Sequence, residues 1–145
     1  MSTVSCSGYL TEAFHDFGAS VSWVIRVLEE HEDEFDTIAF RGMSGAVIAP
    51  TVAYFMNKPM VLVRKSGDST HSSCVLEGCG TEVERYVIVD DMVSTGATVR
   101  EIQTQMWDRA NAKCVGIVLY KEREWVTPER RPGLFLATEA LPVPF

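Results

Sequence analysis

Residues Val87 to Val99 read VIVDDMVSTGATV, and this stretch decides the fold. An apolar run from Tyr86 to Val89 delivers two adjacent carboxylates, Asp90 and Asp91. A hydroxyl- and glycine-rich turn follows (Ser94, Thr95, Gly96, Thr98), and a helical pattern begins there. The order of parts is a buried strand, an acidic tip, a small loop and a helix start. Backbone N–H groups exposed at a helix start carry partial positive charge and bind anions, so the loop suits a phosphate. The acids suit ribose hydroxyls or a metal-bound sugar. Together they describe a phosphorylated ribose. A turn that only capped the helix would need one such residue, not two acids and three hydroxyls around a glycine.

Working outward, Val21, Val24, Ile25 and Leu28 recur at helical spacing and predict an amphipathic helix over about Ser20 to His31. Asp36 to Phe40 reads as a short strand into Arg41-Gly-Met-Ser-Gly45. A second helix is expected over Ala46 to Met56, with Pro50 near its start or kinking it, and Asn57-Lys-Pro59 ends it. Met60 to Val63 is a buried-type strand leading into Arg64 and Lys65, and a polar loop or floppy hairpin occupies about 66–80. Val99, Ile102, Met106 and Ala110 form the core stripe of the next helix, and Cys114 to Tyr120 is a continuous apolar strand.

Short apolar runs alternating with helices mean βαβ units, a parallel sheet and helices on both faces. Ligands of such sheets bind at the carboxyl ends of the strands. The chain puts Arg41, Arg64/Lys65, Asp90/Asp91 and Lys121 at four such ends.

At 145 residues the chain is about one domain, 1–145, and 46% hydrophobic with 23% charged residues is ordinary globular composition. A net charge of −7 without a basic stripe argues against nucleic acid. The acidic run Glu29 to Asp36 reads as a solvated helix face and end. No apolar stretch is long enough to span a membrane and no secretory signal is visible, so a cytoplasmic protein is expected. Cys6, Cys74, Cys79 and Cys114 lack metal spacing; Cys114 reads as a small core residue, and Cys74 with Cys79 as a conceivable redox pair.

The segment from Val87 to Val99 resembles the 5-phosphoribosyl-1-pyrophosphate (PRPP) signature of type I phosphoribosyltransferases. Arg41 to Lys65, RGMSGAVIAPTVAYFMNKPMVLVRK, resembles the adenine-type members in its order of parts. The resemblance implies a Rossmann-like doubly wound α/β sheet, with a small or reduced hood, acting as a Mg²⁺-dependent transferase of nucleotide salvage. It assigns Asp90 and Asp91 to the ribose hydroxyls and the metal, as catalytic residues. Ser94, Thr95, Gly96, Ala97 and Thr98 receive the 5′-phosphate. Arg41, Gly42, Met43 and Ser44 wrap the pyrophosphate, in the family often through a non-proline cis peptide, and Arg64 and Lys65 assist. The loop at 66–80 corresponds to the family's flexible catalytic loop, which closes to exclude water. A homodimer is also implied.

The acceptor is a nucleobase, with a purine slightly favoured. Family members acting on 6-oxopurines carry Asp where this chain has Ser94, which fits adenine- or orotate-type members better. Against this, Lys121 in VLYK resembles the lysine that recognises a 6-oxo group. Trp125 is a candidate to stack on a flat base. The tail, 121–145, is expected to add an edge strand at Leu134-Phe-Leu136 and part of a base-covering hood. The alternative is a PRPP-binding regulator that catalyses nothing.

Overall fold

A computed structural model describes residues 8, 10–65, 74–78 and 82–136. Among the described residues six strands form one sheet: β1 (Thr37–Phe40), β2 (Met60–Val63), β3 (Leu76–Gly78), β4 (Arg85–Asp90), β5 (Lys113–Leu119) and β6 (Glu124–Val126). Their spatial order is β3-β2-β1-β4-β5-β6. The inner four are parallel, and both edge strands run antiparallel to their neighbours. The fold is a Rossmann-like α/β sheet.

Burial explains the strand compositions. Tyr86, Val87, Ile88 and Val89 of β4 are all fully buried. A strand covered on both faces gains from apolar residues at every position, each worth about 1.5–3 kcal/mol when buried. One face carries helices α2 (Phe17–Glu29) and α4 (Ala49–Met56), packed on Ile38, Phe40, Val87, Val89 and Val118. The other carries α5 (Ala97–Ala110), whose Val99, Ile102 and Met106 meet Ala39, Ile88, Ile117 and Leu119. Two short helices, α1 (Thr11–His15) and α3 (Gly42–Ala46), complete the set among the described residues.

Several expectations need adjustment. The helix expected from Ala46 divides into α3 and α4, and Pro50 sits in the first turn of α4, where its missing N–H has no helical partner to lose. Asn57 then ends α4 in the left-handed conformation. Within the stretch expected as a polar loop or floppy hairpin, Leu76–Gly78 returns as β3 antiparallel to β2; 66–73 and 79–81 lie outside the described residues. Asp36 is not simply solvated: its carboxylate accepts the N–H groups of Glu84 and Arg85, at 3.1 and 3.0 Å. Cys114 is buried, Cys74 is an exposed thiol, and Cys6 and Cys79 lie outside the described residues. Every peptide bond among the described residues is trans, including those of the Arg41–Ser44 segment.

The edge strand expected at Leu134 to Leu136 is absent; a 3-10 turn, Pro132–Leu134, stands there. Its cause is Gln103, fully buried on α5. Gln103 donates to the Leu134 carbonyl at 2.8 Å and accepts the Leu136 N–H at 3.0 Å, taking the groups a strand would have used. Gln103→Leu leaves both backbone groups unpaired and is expected to cost about 2 kcal/mol. Urea unfolding checks this, and an unchanged midpoint would refute the pin. Of the 121–145 tail expected to contribute a hood, β6 and this turn lie among the described residues, and 137–145 lie outside them.

Candidate active site

The chain passes from β1 to β2 on one side and then crosses to β4 on the other, so β1 and β4 flank the switch point of the sheet. Loops leaving neighbouring strands in opposite directions open a crevice there. Arg41 follows β1, Asp90 ends β4, and Arg64 and Lys65 follow β2. Lys121 lies just past β5, its N–H bonded to the Asp91 carbonyl at 2.9 Å. All four groups expected at strand ends therefore share one edge.

Asp90 and Asp91 are both buried, at 6% and 8% exposure. Asp90 Oδ1 accepts the Ser44 hydroxyl at 2.8 Å and the Asp91 N–H at 2.9 Å. Asp91 Oδ1 accepts the Met92 N–H at 2.7 Å. Burial pushes the Asp90 carboxyl up to about 6; the Ser44 hydroxyl and the Asp91 N–H oppose that shift, and the neighbouring Asp91 charge adds to it. Such a pair is poised for a cation or for hydroxyl donors, either of which relieves the desolvation.

Directly beyond lies a small cavity of about 70 Å³, lined by Asp90 and by Met92 through Val99. Gly96 makes the turn possible. Its φ is +83°, and a Cβ there would meet Arg100 Nη1 at 2.5 Å and Leu134 at 2.8 Å. Arg100 reaches back to the Thr95 carbonyl at 3.1 Å, and Thr95 Oγ1 accepts the Ala97 N–H at 3.2 Å. Ser94, Thr95, Ala97 and Thr98 are exposed around this fastened turn.

No protein-family model matches the chain. It is 33% identical over 126 residues to the adenine phosphoribosyltransferase of Petrotoga mobilis, an alignment covering 77% of this chain and 71% of that protein. The chain belongs to the type I phosphoribosyltransferase family. It is also 28% identical to the orotate phosphoribosyltransferase of Bacillus subtilis over 119 residues, 81% of this chain but only 55% of that protein. The fold is similar to that of adenine phosphoribosyltransferase from Saccharomyces cerevisiae, with a TM-score of 0.59 at 19% identity, covering 87% of this chain and 82% of that one.

Within this phosphoribosyltransferase-family chain, three expected residues have partners the sequence did not announce. Arg41 is buried, and its guanidinium forks onto the Glu101 carboxylate of α5, at 2.8 and 2.9 Å. The fork expected to face phosphate oxygens is thus occupied. Ser44 is turned to Asp90 instead of outward, and its carbonyl accepts the Tyr120 hydroxyl at 2.7 Å. This line of Tyr120, Ser44 and Asp90 ties β5, α3 and β4 together. Arg64 is paired with Glu77 of β3 at 3.0 Å.

Gly42 and Met43 are exposed at the start of α3, and Lys65 is exposed at the end of β2. Trp125 is not presented to this edge as a free face. Its ring stacks on His31 with centroids 4.6 Å apart and lies over Gly116, where a Cβ would fall 2.1 Å from it. It packs the sheet against the end of α2. Glu101 and Tyr120 were missed because Glu101 lies off the apolar stripe of its helix and Tyr120 reads as the last residue of an apolar strand.

Proposed function

We propose that the protein transfers the 5-phosphoribosyl group of PRPP to a ring nitrogen of a nucleobase, releasing pyrophosphate. The observation that carries this reading is the buried Asp90–Asp91 pair at the switch point, next to the Ser94–Thr98 turn. The C1′–oxygen bond to pyrophosphate breaks as the base nitrogen bonds C1′, through an oxocarbenium-like state, and the base's N–H proton passes to solvent or to the departing pyrophosphate. Positioning and charge stabilisation then dominate the catalysis.

Asp90 and Asp91 hold the 2′- and 3′-hydroxyls, and the turn holds the 5′-phosphate on its amides and hydroxyls. The backbone of the Arg41–Ser44 segment and Lys65 take the pyrophosphate, with Arg41 and Arg64 reaching it by exchanging their carboxylate partners Glu101 and Glu77 for phosphate oxygens. Lys121 faces the base, and it supports a purine slightly over a pyrimidine; no base contact is assigned to Trp125. Mg²⁺ fits the carboxylate pair, whose oxygens are the hard donors it prefers, with water and substrate oxygens as its other ligands. When bound, it would neutralise charge on the leaving pyrophosphate. The exposed aromatic pair Tyr54 and Phe55 on α4 supports a homodimer.

The test is pyrophosphate release from Mg·PRPP with adenine, hypoxanthine, guanine, xanthine, orotate, uracil and nicotinate offered separately. Release that depends on one base, with its nucleotide formed, is the expected result. PRPP binding without release for any base would favour the second reading, a PRPP-binding regulator.

A further inference from the structure

Arg41 and Glu101 form the best-defined ion pair at the carboxyl edge of the sheet. The two contacts, Nη1 to Oε2 at 2.8 Å and Nη2 to Oε1 at 2.9 Å, are the parallel pair an arginine makes with any planar or tetrahedral oxyanion. The partners differ in freedom. The Arg41 side chain is 4% exposed and that of Glu101 is 42% exposed, on the outer part of α5. Arg41 Nε is also buried, with no hydrogen-bond partner among the described residues. The guanidinium is therefore fixed in place with donor capacity left over, while the carboxylate sits where it can reach water once another anion takes its place on Arg41. Lys65 adds its field at the same point: with Arg41, it holds the Glu101 carboxyl below its ordinary range.

Resting on the reading of this edge as a PRPP site, we propose that Glu101 is an internal anion on the pyrophosphate subsite. It occupies the Arg41 fork until the diphosphate of PRPP, or free pyrophosphate, displaces it. The moving part is the Glu101 side chain, and Arg41 stays where β1 puts it. Displacement sets a threshold. A singly charged anion gains little over the carboxylate already present, whereas a diphosphate brings several charges to Arg41 and Lys65 together. The same contact favours departure of the product, because Glu101 returns as pyrophosphate leaves.

Glu101→Gln removes the charge but keeps a carbonyl that can accept one Arg41 N–H, so the local packing is retained. Calorimetric titration of wild type and E101Q with inorganic pyrophosphate, each with and without Mg²⁺, tests the proposal. The expected result is binding about tenfold tighter in E101Q, the order of one lost charge-assisted contact. Glu101→Ala gives the same direction by a different route, and thermal melts of both variants establish that they are folded. Wild-type binding with equal or weaker binding in both variants would overturn the internal anion and assign Glu101 to positioning Arg41, leaving the PRPP site intact. Absence of binding in wild type and variants alike would overturn the site itself.

Discussion

Asp90→Asn is expected to reduce turnover by roughly a thousandfold, the usual scale for removing one preorganised polar group from a reaction centre, while stabilising the fold at neutral pH. Both effects have one cause. The Asp90 carboxyl is buried, and its proton is held up to about 6 against an ordinary value of 3.8. A group whose folded value is raised contributes stability that is full below the unfolded value and is lost as pH rises through the folded one. Stability therefore declines between about pH 4 and pH 6 as this group loses its proton in the unfolded chain first. Asn does not titrate in that window, and its amide oxygen still accepts the Ser44 hydroxyl. The variant's advantage should be small at pH 4, grow through pH 6 and level off above it. Urea unfolding at pH 5 and pH 8, alongside the pyrophosphate-release assay, reads both effects. Retained turnover, or a variant less stable than wild type at pH 8, would sink the assignment.

Gly45→Ala is expected to carry the largest structural effect of a single methyl group near the site. A Cβ at Gly45 would lie 2.7 Å from Phe40 Cβ and 3.1 Å from the Val89 carbonyl oxygen. Neither neighbour is a flexible side-chain tip; one is fixed to β1 and the other belongs to β4. The helix must move, and overpacking of this kind costs about 1–3 kcal/mol. The functional loss should exceed the loss of stability. Displacing α3 takes Ser44 off Asp90, breaks the Tyr120 contact and shifts the segment that follows Arg41. Lower PRPP affinity with a modestly lowered melting temperature is the expected pattern. Unchanged affinity in a folded variant would mean that α3 does not position the site.

The parallel sheet was legible because its strands are buried on both faces and so read as uninterrupted apolar runs. Asp90 and Asp91 were legible because adjacent acids after such a run have no place in a core. Edge elements were not: β3 and β6 are three residues each and partly exposed, too short for any period to register. The turn at Pro132–Leu134 depends on Gln103, which falls among polar residues of α5 and gives no sign of its full burial. The partners at the site were hidden for a different reason. Arg41 to Glu101 spans sixty positions and Ser44 to Tyr120 seventy-six, and such pairings are set by how strands are ordered, not by local spacing.

Those short edge strands have a consequence for how the molecule behaves in company. A sheet grows between molecules when an open edge offers a long row of unpaired backbone groups. Among the described residues each edge strand offers three, and charged pairs decorate both: Arg64 with Glu77 on one side, Arg131 with Glu124 on the other. An incoming strand finds too little register to hold. Among the described residues, neither edge strand offers a template for ladder-like growth between folded copies. The aggregation hazard of this chain belongs to partly unfolded states, in which β4 and β5 lose their neighbours and expose the longest apolar strands it has.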